Sequence, residues 1–138
     1  MWLLLCKLPT TNRIIQRGGT ADAVCKLCHC REETTLHMIA NCSYAKEVWR
    51  LLGQRASFNF VHNSSPPCDM QDWWTQLNTA TGLNSTQLRQ FLTYAAWNIW
   101  KERCRRVFDN KALPAHQLVL LIMHDVAAYR LAHTTPAI

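Results

Sequence analysis

The chain has 138 residues, is 49% hydrophobic and carries a formal charge of +6. That length suits one domain, or one with a small satellite, and the apolar content together with six tryptophans supplies a core. No apolar run approaches the ~20 residues a membrane span needs, so no membrane association is expected, and the basic balance suits a partner with phosphates but is equally ordinary for a small domain.

Residues 2–7 read as the last turns of a helix whose beginning lies upstream. Pro9 breaks that run, Thr10 or Thr11 can cap a short helix through Gln16, and Gly18-Gly19 end it. Residues 20–24 form a connector into the most informative stretch of the chain.

That stretch, residues 25–42, reads C-K-L-C-H-C-R-E-E-T-T-L-H-M-I-A-N-C. Cys25 and Cys28 form a C-x2-C pair, and His37 and Cys42 come later as H-x4-C. Two thiols separated by two residues can face one ion from a tight turn. An imidazole and a third thiol from one short helical segment can complete a tetrahedron. Three sulfurs and one nitrogen in that array suit Zn2+ in a structural site, with no position left for water. The expected metal ligands are therefore Cys25, Cys28, His37 and Cys42. His29 and Cys30 stand beside Cys28 and could replace it; Cys28 is preferred because C-x2-C is the usual turn spacing. A disulfide framework fits poorly with seven cysteines and no secretory signal. A reducing, intracellular compartment is expected, nucleus or cytoplasm, where clustered Cys and His mean metal. A small iron–sulfur cluster ranks well below zinc.

Downstream, a short helix is expected from about Leu36, with His37 in its first turn. A second should run over about 43–52, with Ala45, Val48, Trp49 and Leu52 on one stripe and Gly53 stopping it. Residues 54–68 contain N-S-S-P-P and read as a loop. The expected division is therefore a zinc-binding module at 1–54, a linker at 55–68 and a helical region at 69–138. Trp73 and Trp74 fall in a short helix over 70–79, one of them core and the other partly exposed. The longest helix should span about 85–109 with two apolar seams: Leu88, Leu92, Ala95 and Ile99, then Trp97, Trp100, Cys104, Val107 and Phe108. A last helix from Pro114 to about His133 should turn Leu118, Ile122, Val126 and Tyr129 inward, leaving Leu120 and Met123 around the back. The expected fold is mostly α, with a small irregular zinc-binding turn packed on a helical bundle.

Several of these residues also carry a resemblance. L-P-T-T-N-R-I-I-Q-R-G, the C-x2-C pair, E-E-T-x-x-H and C-x-x-A-x-x-V-W are similar to the reverse-transcriptase zinc-binding domain. That domain lies near the C-terminus of polyproteins of plant LINE-type (non-LTR) retrotransposons. Leu8, Pro9, Thr10, Cys25, Cys28, Glu33, Thr34, His37, Cys42, Ala45, Val48 and Trp49 sit where that pattern has them. The run W-x-x-W-K-E-R-x-R-R-V-F, from Trp97, resembles the segment C-terminal to the domain in that family. Family members often have proline where this chain has Lys26, and asparagine where it has Cys104. The resemblance implies a polymerase region upstream and a part in handling template RNA or target DNA.

The nine acidic residues are scattered, with no paired aspartates for two-metal chemistry, and no Gly-rich phosphate loop or nucleophile elbow is present. No enzymatic activity is expected. The leading reading is a non-catalytic structural-zinc module that assists nucleic-acid handling, weakly and without sequence specificity. Lys101, Arg103, Arg105 and Arg106 are its candidate contacts. Against that stands the reading of the same run as a solvated helix end whose cations complement the dipole. The alternative function is a protein-interaction module with structural zinc and no nucleic-acid role.

Overall fold

The computed structural model describes residues 24–56, 70–81 and 85–133, and most of these residues are helical, with a non-helical turn before residue 35 and a short connection at 110–114. The helices expected before residue 24 and most of the 55–68 linker lie outside the described residues. A short π-helical turn, His37–Asn41, leads into α1 (Ser43–Ala56), which precedes α2 (Met70–Thr81) and α3 (Ser85–Cys104). A second π-helical turn, Arg105–Asp109, extends α3, and α4 (Ala115–Ala132) completes the order. The described residues contain no strand, only an isolated antiparallel bridge between Val24 and Glu32 that pins the base of the zinc turn. None of the described helices is long and apolar enough to cross a membrane.

On α1 the expected stripe is buried throughout: Ala45, Val48, Trp49 and Leu52. Gly53 does not stop the helix, which continues to Ala56 with Gly53 buried inside it. A mid-helix glycine costs only about 1 kcal/mol relative to alanine, less than the packing of a buried stripe returns. Trp49 donates its indole N–H to the Ile39 carbonyl at 2.9 Å, which locks α1 to the π turn. Its ring meets Trp73 of α2 edge-on, with centroids 5.5 Å apart. Trp73 is buried and Trp74 half-buried, as two neighbours about 100° apart on a helix must divide.

α3 and α4 lie antiparallel. Asn98 donates to Asp125 at 2.9 Å, and Arg130 to Gln90 at 2.8 Å, so partners advance on one helix as they recede on the other. Leu92, Ala95 and Ile99 of α3 and Leu118, Ile122 and Val126 of α4 are buried. Leu88 lies outside the described side chains.

Two further expectations need correction. The second seam of α3 is largely not a seam: Trp97, Val107 and Phe108 are exposed, Phe108 by 75%, and Trp100 and Cys104 are half-buried. The inward line instead continues from Leu92, Ala95 and Ile99 to the buried Glu102 and on to the half-buried Arg106, at the same three- and four-residue steps. The buried face stays in register while its residue type changes from apolar to charged. Tyr129, expected inward, is exposed and stacks on His133 with centroids 4.0 Å apart.

A single cluster of buried side chains runs from Cys25 and Leu27, through α1, Trp73 and α3, to Val126 of α4. The core is thus continuous across the expected division between zinc module and helical region.

Candidate metal centre

The turn 25–33 is shaped by its backbone. Cys25 donates its amide to the Arg31 carbonyl at 2.7 Å, and His29 donates back to the Cys25 carbonyl at 3.0 Å. His29 takes a left-handed conformation, φ 59°, to complete the reversal. The Leu27 amide donates to Cys25 Sγ at 3.4 Å, so the turn already directs N–H groups at the first sulfur.

The next two ligands come from one helical entry. Thr34 caps it: its hydroxyl accepts the His37 amide at 3.0 Å and its carbonyl accepts the Met38 amide at 2.9 Å. Cys42 then donates to the His37 carbonyl at 2.6 Å, an i→i+5 bond that widens the turn. In an α-helix, residues five apart point about 140° away from each other, so the H-x4-C spacing would separate its ligands. The π turn brings them to one side. Cys42 is also the N-cap of α1, since its carbonyl accepts the Lys46 amide at 2.8 Å. The Tyr44 and Ala45 amides hydrogen-bond its sulfur, where the positive end of the helix dipole favours a thiolate.

The structure brings together Cys25, Cys28, His37 and Cys42, their ligand atoms all within 4.8 Å of one another. Cys25 Sγ and Cys42 Sγ are 3.9 Å apart, and Cys28 Sγ lies 3.3 Å from His37 Nε2. A tetrahedral zinc with Zn–S near 2.3 Å and Zn–N near 2.0–2.1 Å requires S···S of about 3.8 Å and S···N of about 3.6 Å. The four residues fit one structural zinc ion, and they would fill its coordination shell. Cys30 stands apart from the cluster: it is exposed and its thiol donates to the Cys28 carbonyl at 3.1 Å. His29 is exposed as well.

The two buried sulfurs share one proton unequally. The hydrogen bond from Cys42 holds the Cys25 thiol down to about 5 against the opposing effect of burial, assisted by the Cys28 and Leu27 amides and the His37 charge. The same contact, with burial, pushes the Cys42 thiol up.

The candidate nucleic-acid contacts are not one free cationic face. Arg103 is 5% exposed, and its Nε and Nη2 donate to Glu33 Oε1 at 3.2 and 3.0 Å. Glu33, fully buried, uses its other oxygen to accept the Lys26 amide at 3.0 Å. Arg105 and Arg106 both pair with the buried Glu102, Arg106 through Nε at 2.8 Å. Arg106 also donates to the Leu27 carbonyl at 2.9 Å and lies over the Tyr44 ring, 4.6 Å from its centroid. Glu102 further accepts the Leu113 amide, and Tyr44 donates to the Leu113 carbonyl, both at 2.9 Å. Burial and the nearby Glu102 charge push the Tyr44 phenol up to about 12. Of the four cations, Lys101 is exposed, 5.8 Å over the Trp97 ring. Arg103 and Arg106 thus hold α3 and the zinc turn together, while Arg105 pairs with Glu102 along its own helix. Sequence reasoning missed Glu33 as the anchor of Arg103, although the E-E-T motif contained it.

No curated protein and no solved structure matches the chain. Residues 1–49 match the model of a family described as zinc-binding in reverse transcriptase, and that match, with the four converging ligands, supports a reverse transcriptase zinc-binding domain over this stretch.

Proposed function

We propose that this chain is a non-catalytic structural-zinc module from the polyprotein of a plant LINE-type (non-LTR) retrotransposon, and that it assists the handling of RNA or DNA inside a reducing compartment. The observation that carries the reading is the convergence of Cys25, Cys28, His37 and Cys42 inside a stretch matched to zinc-binding in reverse transcriptase. Four protein ligands leave zinc no open position for water, which argues for a structural ion. Binding to nucleic acid is weak and indifferent to sequence, because no base-reading array stands on the described surface.

The test has two parts. Purified protein should carry one zinc per chain, kept by Cys30→Ser and lost by Cys42→Ser. The zinc-loaded protein should bind single-stranded RNA at low salt and release it as salt rises. Zinc without any such affinity would move the reading to a protein-interaction module, which the exposed Trp97, Val107 and Phe108 favour.

A further inference from the structure

A cavity of about 460 Å³ lies where the zinc turn meets the end of α3, lined among others by Lys26, His29, Arg106, Asn110 and Lys111. Among the described residues lining it, none is acidic. We infer that it binds a phosphate group and that, on the nucleic-acid reading above, this phosphate is a phosphodiester of the bound strand.

Charge favours an anion here. Two lysines line the cavity directly. Arg106 and Arg105 share the single carboxylate of Glu102, so the three together keep one net positive charge. A zinc centre of three thiolates and one neutral histidine carries one net negative charge nearby. The cavity itself is lined by Lys26, Arg106 and Lys111 with no carboxylate among its described lining residues, and an oxyanion is the favoured occupant.

The cavity is also preorganised. Arg106 is fixed by Glu102, by the Leu27 carbonyl and by the Tyr44 ring. A guanidinium carries five N–H donors in a rigid fork, and these contacts use only part of them. The chain reverses beside it at Asn110, whose φ of 53° is left-handed, and this reversal carries Lys111 to the cavity. The two non-glycine residues with positive φ among the described residues, His29 and Asn110, both line this cavity. Left-handed backbone at such residues has a steric cost and gathers at functional sites.

The volume exceeds one phosphate and lies within the range of ligand pockets, which leaves room for the flanking sugar of a phosphodiester. A contact of this kind fixes a strand's position and reads no base.

The test compares Lys26→Ala/Lys111→Ala with Lys46→Ala/Arg55→Ala, which removes the same charge from exposed positions of α1. Arg106 is left in place because it also ties the zinc turn to α3. Zinc content of one per chain is the control for folding. RNA affinity is measured by fluorescence anisotropy across salt concentrations. Each phosphate contact on a single strand contributes about 0.7 to the logarithmic salt slope, hence about eightfold in affinity near 50 mM salt relative to 1 M. The cavity variant should therefore lose up to about eightfold at low salt and about 0.7 of the slope, the share of one phosphate, with a much smaller loss in the α1 variant. Equal losses in both variants, or no loss in the cavity variant, would overturn the inference and leave the nucleic-acid reading standing. If the unaltered protein binds no RNA, that reading falls, and inorganic phosphate then decides the cavity. Shifts of the Asn110 and Lys111 amide resonances on phosphate addition would establish an oxyanion site filled by free phosphate. Unmoved resonances would remove the site altogether.

Discussion

Taking an arginine out of water costs several kcal/mol unless a fixed carboxylate receives it. Arg103 and Glu33 meet that condition in the core, each using more than one hydrogen bond. Arg103→Ala would remove the guanidinium that neutralises the buried Glu33 carboxylate, and it is expected to destabilise the protein by about 3–5 kcal/mol. Arg50→Ala, which breaks an exposed pair with Glu47 at 2.6 Å, should leave the denaturation midpoint unchanged. Similar midpoints for the two variants in urea would contradict the buried-pair account. The sulfurs give a second prediction. With Cys25 held down to about 5 and Cys42 pushed up, the pair at neutral pH keeps its proton on Cys42. Zinc must displace that proton, so acid competes with the metal and affinity rises with pH. From about pH 6 to about pH 8 the zinc association constant should increase at least about tenfold per pH unit, read by chelator competition. A flat profile would show that Cys42 is already a thiolate.

Among the elements, the entry from Thr34 into the π turn carries the most consequence for the site. Its cap orients His37, and its i→i+5 bond delivers Cys42 to the same ion. Thr34→Ala removes the side-chain acceptor of the His37 amide and should cost about 1 kcal/mol of stability, with weaker zinc retention. Thr34→Ser keeps the hydroxyl and should restore both, as thermal melts and metal analysis can establish. If serine and alanine behave alike, the threonine methyl and not the cap is what matters. α3 behaves differently. Its inward face is straight, but after Ile99 it is occupied by Glu102 and Arg106, so its apolar residues point the wrong way to report it.

For the molecule as a whole, the decisive feature is one continuous core. Trp49 touches Trp73, Glu33 holds Arg103, and Tyr44 reaches Leu113 from the first helix to the last connection. Structural zinc can contribute on the order of 10 kcal/mol to a small module. Because the ligand turn shares its core with α3 and α4, that contribution should not stay local. Chelation is expected to lower hydrogen-exchange protection in α1, α3 and α4 together, in one cooperative step. Protection that survives in α3 and α4 while α1 exchanges freely would establish two independent parts divided near the 55–68 linker.

Whatever rests on spacing was legible in the amino-acid order. C-x2-C and H-x4-C name four ligands because a turn and one helical entry can deliver them locally. The stripes of α1 and α4 come from helical periodicity, and the i, i+4 relation of Glu102 to Arg106 already places them side by side. Which charges meet solvent emerged only from the packed helices. Charge says nothing of burial until its partner is known, and the partner of Arg103 lies 70 residues away at Glu33. The same holds for Trp97 and Phe108, whose apolarity suggested a seam that no neighbouring helix covers among the described residues. Local spacing fixes what the backbone can bring together within a few turns. Contacts between distant segments depend on how whole helices dock, and that is settled only when they share one core.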